Sequence, residues 1–415
     1  MTFIKTPVRG MPEQTPGEME LRNYVMNQIR TVYRSYGYLQ IETPAIEHIE
    51  NLTGDQGGEN EKLIFRILKR GESLEKAMAR NEAICAEGLR YDLTVPLVRF
   101  YANNMSDLPL PFKVMQMGPV WRADRPQRGR YRQFIQCDID ILGEPSLLAE
   151  IELISATTEA LASLGFEDLE VKVNDRRVLR AMALYAGFPE EELPDIFILL
   201  DKMDRLGFTG LRDELLSAGY SQDSTDKYLG LFKELPSNTL SSEYFANYPD
   251  IMSDPEIFRN LDIILSASQQ LTDPEVKVIF DPTLVRGMGY YTGTIFEISL
   301  PGMAGSVAGG GRYDQMIEKF VNQPVAACGF SIGFERIIVL LEEQGLIPAF
   351  TDPRSAYLLD KDLEPDRIVK IMEDAARRRV NGETIFVGGR RRNIRRQKEE
   401  LEGLGYTQID EVFPD

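Results

Sequence analysis

Between Phe112 and Gly143 the chain reads FKVMQMGPVWRADRPQRGRYRQFIQCDIDILG, two strand-like runs joined by a basic loop. In the second run Phe134, Gln136, Asp138 and Asp140 alternate with Ile135, Cys137, Ile139 and Ile141. A period of two puts the amide and both carboxylates on one face and the apolar residues on the other. The loop adds Arg122, Arg125, Arg128, Arg130 and Arg132. Guanidinium forks grip phosphate through paired hydrogen bonds. Acids and amides two residues apart can hold a cation or a polar small molecule. A hairpin with a solvated face and a basic tip produces the same pattern, so both readings are open.

The rest of the chain narrows the chemistry. There is one histidine, His48, which argues against serine or cysteine triads and against a cysteine–histidine zinc site. His48 reads as a surface or interface residue. Catalysis must then rest on carboxylates, arginines and positioning. In LRYDLTVPLVR, Asp92 and Thr94 lie where a short strand gives way to a helix. Thr94 can cap that helix, or Asp92 can hold an ammonium group. In LVRGMGYYTG, Arg286 precedes glycines that keep the backbone open near Tyr290 and Tyr291. GGGRYD is compatible with close approach of a ligand or with a plain turn. In CGFSIGFERIIVLL a small-residue strand leads into a helix with Arg336 near its start, where the helix N-terminus favours phosphate.

These segments resemble class II aminoacyl-tRNA synthetases, in the form found in histidyl-tRNA synthetases. WRADRPQRGRYRQFIQCDIDILG is similar to the second signature motif of the class, and CGFSIGFERIIVLL to the third. LVRGMGYY resembles the signature peculiar to histidyl-tRNA synthetases, with Gly289 where the family commonly has aspartate. The resemblance implies ATP contacts from Arg122, Asp124, Arg130, Phe134 and Arg336. It implies a histidine pocket of Asp92, Thr94, Gln136, Asp140, Tyr290 and Tyr291, with Arg122 and Arg286 as the catalytic arginines. It further implies Mg²⁺ accompanying ATP, tRNA(His) as partner and a homodimer. The implied activity is that of a histidine–tRNA ligase. An alternative within the same resemblance is a paralogue serving as histidine-binding regulatory subunit of ATP phosphoribosyltransferase.

The elements that would position these residues follow from periodicity. Thr15 and Pro16 open a helix that ends at Gly37, and a strand broken by Pro44 follows, together resembling the first class II motif. NLTGDQGGEN reads as a loop, and residues 73–88 as an insert of modest helical character. The resemblance implies an α+β fold with a mostly antiparallel sheet flanked by helices. The expected domains are a catalytic domain of residues 1–175 and 275–345, a helical insertion of 176–274, and a short α/β domain of 352–415. The insertion would help to position the tRNA acceptor end. The last domain carries Arg377, Arg378, Arg379, Arg390, Arg391, Arg392, Arg395 and Arg396. These would contact RNA backbone or pair with neighbouring glutamates. It resembles an anticodon-binding domain lacking a final strand and helix.

Bulk properties agree. A chain of 415 residues suits two or three domains, and 43% hydrophobic residues suit a globular protein. A net charge of -18 argues against indiscriminate nucleic-acid affinity. Three scattered cysteines fit a reducing cytoplasm. No membrane span and no signal peptide are expected.

Overall fold

The computed structural model describes residues 3–53, 60–127, 129–232, 239–286, 289–300, 305–346 and 352–414. Arg128 and most of the glycine-rich loop after Thr53 lie outside the described residues. Two compact units are formed: Met1–Glu13 with Val25–Glu343, and Gln14–Tyr24 with Gln344–Asp415.

The larger unit is built on an eight-stranded mixed sheet. Its central hairpin pairs Phe112–Trp121 with Gln133–Leu142, antiparallel. Beyond the hairpin come Ala327–Gly333, Ala308–Arg312 and Thr294–Ser299, all antiparallel, then Glu170–Asp175 and Lys277–Phe280, which pair in parallel. The aliphatic face of the hairpin is sealed, with Cys137 and Ile139 fully buried. The helix Leu148–Ala162 packs against this sheet.

The strand expected around Pro44 breaks there. Leu39–Gln40 pairs in parallel with the hairpin at the sheet edge, whereas Ile46–His48 joins a separate three-stranded sheet. The central strand of that small sheet is Cys85–Leu89, in a stretch expected to be modestly helical. The helix there is confined to Gly71–Arg80, where Asn81 closes it in a left-handed conformation.

Between the parallel pair Glu170–Asp175 and Lys277–Phe280 the described residues are mainly helical, from Arg176–Ala186 to Pro255–Leu271. The last of these helices returns to pack on the sheet. No helix among the described residues is long and apolar enough to cross a membrane.

The smaller unit has three parallel strands in the order Thr384–Gly389, Arg354–Leu359, Gln408–Val412, connected by the helices Pro365–Val380 and Ile394–Glu402. Its arginines are largely engaged by acids. Arg377 pairs with Asp374, Arg378 with Glu383, Arg390 with Glu411, Arg391 and Arg396 with Glu400, and Arg395 with Glu399. Arg379 instead donates to the Ile385 carbonyl at 2.7 Å.

Candidate active site

The polar face of the hairpin forms the floor of a cavity of about 280 Å³ within the larger unit. Register explains its layout. Gly118, Gln136 and Gly333 stand in one row across adjacent strands; Gln116, Asp138, Ser331, Gly309 and Glu297 in the next; Val114, Asp140, Gly329 and Gly311 in a third. Paired residues project to the same side, so five strands contribute to one surface. The cavity wall includes Asp92, Thr94, Arg122, Asp124, Arg130, Phe134, Gln136, Asp140, Arg286, Tyr290, Tyr291 and Arg336. All twelve residues singled out in the sequence therefore line one cavity.

One end is rich in guanidinium groups. Arg122 donates from Nε to the Tyr91 carbonyl at 2.9 Å, and its guanidinium lies 5.1 Å from the centre of the Phe134 ring. Arg130 pairs with Asp124 through Nε at 3.0 Å and Nη2 at 2.7 Å. The Arg336 guanidinium donates to the Ser306 carbonyl. Glu335 accepts from the Ile135 amide at 3.2 Å and so braces the start of the second hairpin strand.

The other end holds buried acids. Asp92 Oδ1 accepts from the Val95 amide at 3.0 Å, while Asp92 Oδ2 is buried without a hydrogen-bond partner. Asp92, not Thr94, thus supplies the side-chain cap of the helix Thr94–Asn104, because Thr94 already lies inside its first turn. Burial pushes the Asp92 carboxyl up to about 6. Asp140 is pushed up to about 7, again by burial, with the Tyr313 hydroxyl pulling it down. Asp138 is raised well above its usual value by burial and by the charge of Asp140.

Arg286 lies between the two ends, 3.4 Å from Glu297. Burial opposes its charge, but Glu297, Tyr291, Asp201 and Tyr290 together outweigh that and raise its pKa. Its Nε has no hydrogen-bond partner. The strand Ala308–Arg312, which sequence reasoning left as a turn or an approach loop, accounts for its position. A Cβ on Gly309 would sit 2.4 Å from the Arg286 guanidinium. A Cβ on Gly329 would meet Asp140 Oδ1 at 1.9 Å. The glycines are therefore strand residues whose missing side chains make room for the arginine and the acid.

Sequence reasoning missed Tyr313, whose hydroxyl donates to Asp140 Oδ1 at 2.6 Å. Its ring lies 5.9 Å from Tyr290, which in turn lies 4.7 Å from Tyr291. The signal was a tyrosine two residues after the glycine run, but its partner is 173 residues away.

A cavity with an arginine-rich end and a carboxylate-rich end suits a guest that is anionic at one side and cationic at the other. A nucleoside triphosphate beside an amino acid has that polarity. The histidyl-tRNA synthetase family model matches residues 10–337. This chain belongs to that family. A histidine–tRNA ligase from Leifsonia xyli is 40% identical over 422 residues, covering 99% of this chain and 96% of the relative. One from Christiangramia forsetii is 36% identical, over 82% of this chain and 77% of the relative. The crystal structure of histidyl-tRNA synthetase from Nostoc sp. PCC 7120 superposes with a TM-score of 0.78 at 26% identity, covering 98% of this chain and 90% of that one. The fold is thus the α+β fold of the family. A structure from Bacillus halodurans described as an ATP phosphoribosyltransferase regulatory subunit/histidyl-tRNA synthetase shares it, with a TM-score of 0.78 at 19% identity.

Proposed function

We propose that the protein is a histidine–tRNA ligase: it activates histidine with ATP and passes the histidyl group to tRNA(His). Family membership across most of the chain supports the reading. The observation that carries it is a single cavity joining Arg122, Arg286 and Arg336 to the buried acids Asp92 and Asp140.

In the first step a histidine carboxylate oxygen attacks the α-phosphorus of ATP. A carboxylate–phosphorus bond forms, the bond to the bridging oxygen breaks, and pyrophosphate leaves with that electron pair. The attacking carboxylate is already ionised, so no general base is required. The residues act by alignment and by neutralising charge on phosphate oxygens. Arg122 and Arg286 serve the α-phosphate and the substrate carboxylate. Arg130 serves the outer phosphates, and Asp124, Phe134 and Arg336 hold the adenine. Arg130 and Asp124 are paired through Asp124 Oδ2, which leaves Asp124 Oδ1 and Arg130 Nη1 outside the pair. Mg²⁺ would accompany the nucleotide and offset phosphate charge, held mainly by phosphate oxygens and water.

Asp92 and Thr94 receive the histidine ammonium side with Gln136, while Asp140, Tyr290 and Tyr291 surround the imidazole. A homodimer and a cytoplasmic setting belong to this proposal, as does placement of the tRNA acceptor end by the helical segment 176–274. Histidine-dependent exchange between ATP and pyrophosphate tests the first step. Charging of purified tRNA tests the second. Histidine binding with no exchange would instead identify a regulatory paralogue.

A further inference from the structure

The roles above leave Asp138 unused. It lines the cavity, is 4% exposed, and sits on the strand between Gln136 and Asp140. Its cross-strand neighbour on one side, Gln116, is already satisfied: the amide donates to the Leu93 carbonyl at 3.0 Å and accepts from the Thr43 hydroxyl at 3.0 Å. On the other side stands Ser331, directly opposite. Ser331 Oγ in turn accepts from Gln136 Nε2 at 3.0 Å, and that Nε2 lies 3.4 Å from each Asp138 oxygen. Gln136 Oε1 is buried with no partner, as is Asp92 Oδ2.

A serine hydroxyl alone would not settle which end of an amide faces it, because it both donates and accepts. Asp138 removes the choice. A carboxylate only accepts, so its two oxygens, each 3.4 Å from Gln136 Nε2, favour the NH₂ end of the amide on that side. We propose that Asp138 and Ser331 are positioning residues that hold the Gln136 amide with its NH₂ toward the floor and its carbonyl oxygen toward the cavity. Gln136 Oε1 and Asp92 Oδ2 are then two fixed acceptors for the ammonium of the bound amino acid. The Ser331 hydroxyl also counters the burial that pushes the Asp138 carboxyl upward. The inference rests on the reading of this cavity as a histidine site.

Asp138→Asn tests it with almost no change in shape. The new amide can present its own NH₂ to Gln136 Oε1, so the carboxylate no longer holds the Gln136 amide in one orientation. In histidine-dependent ATP–pyrophosphate exchange, the KM for histidine is expected to rise roughly ten-fold, the scale of one misdirected buried hydrogen bond. The KM for ATP and kcat should stay within about two-fold, the signature of lost ground-state binding. Imidazole-lactate carries a hydroxyl, donor and acceptor, in place of the ammonium. As a competitive inhibitor it is expected to bind wild type and Asp138→Asn about equally. Ser331→Ala lets Gln136 turn its NH₂ to Asp138 directly, so its effect is smaller, and the double variant is no worse than Asp138→Asn. An unchanged KM for histidine in Asp138→Asn, or equal losses for histidine and imidazole-lactate, overturns the proposal. Absence of histidine-dependent exchange in the wild type overturns the histidine reading itself, and this proposal with it.

Discussion

The hydroxyl of Tyr313 donates to Asp140 Oδ1 at 2.6 Å, with both residues buried. In the proposed histidine pocket, the other Asp140 oxygen is left for the imidazole. A ring nitrogen that donates there is favoured, and a side chain without a donor leaves a buried carboxylate unpaired. Asp140→Ala is expected to raise the KM for histidine far more than that for ATP. Tyr313→Phe is expected to raise the histidine KM about ten-fold, the scale of one buried hydrogen bond to a charged group. Pyrophosphate exchange measures both, and equal losses for the two substrates would contradict this placement.

Acidity offers a second check. Burial raises Asp92 to about 6 and Asp140 to about 7 from an ordinary 3.8. A carboxyl raised by folding keeps its proton where the unfolded chain has lost it. Its contribution to stability is therefore complete below about pH 4 and is lost as pH rises through about 6 to 7. Urea unfolding is expected to show that Asp140→Asn gains stability over wild type as pH goes from about 5 to about 8. A difference between the two that stays constant over this range would exclude a raised Asp140.

Two neighbouring glycines separate function from folding. In Gly309→Ala the new methyl meets the movable end of Arg286. The protein is expected to fold normally, with kcat for exchange lower by ~100-fold, the usual cost of displacing a charge-stabilising group. In Gly310→Ala the methyl meets the Gly329 carbonyl oxygen at 2.0 Å, which is backbone and cannot yield. A loss of about 3 kcal/mol in stability is expected there, by the cost of overpacking. Circular dichroism during urea titration, beside exchange kinetics, distinguishes the two.

Arg312 holds the strand next to Tyr313 against the helix Leu148–Ala162. Its Nε and Nη2 each donate to a Glu150 oxygen at 2.7 Å, and Glu150 is 1% exposed. Arg312→Ala strands that carboxylate, so a loss of ~3–5 kcal/mol is expected. Replacing both residues with methionine should recover much of it. Denaturant unfolding of the single and double variants reads the difference.

What could be read from sequence was whatever has short range. Alternation placed Gln136 and Asp140 on one face because a strand repeats every two residues, whatever surrounds it. Arg395 and Arg396 pair with Glu399 and Glu400 four residues on, a spacing visible in the chain. The glycine run 309–311 was harder. Glycine is disfavoured in strands, and what keeps it there is Arg286 and Gly329, partners distant in sequence. Tyr313 was overlooked for the same reason, since nothing beside it announces Asp140. Asp92 and Thr94 are both capping side chains, yet Asp92 does the capping, because the helix begins at Thr94, one residue earlier than its hydroxyl requires.

The alternation along Gln133–Leu142 also governs which changes of chain length this gene can survive. One codon inserted between Phe134 and Gln136 would turn every later residue of the strand to its opposite side, bringing Cys137, Ile139 and Ile141 into contact with the substrates. One codon inserted between Arg125 and Gly129 leaves that parity untouched. Length variation among descendants of this sequence is therefore expected in the arginine loop, with the ten codons after it fixed in number.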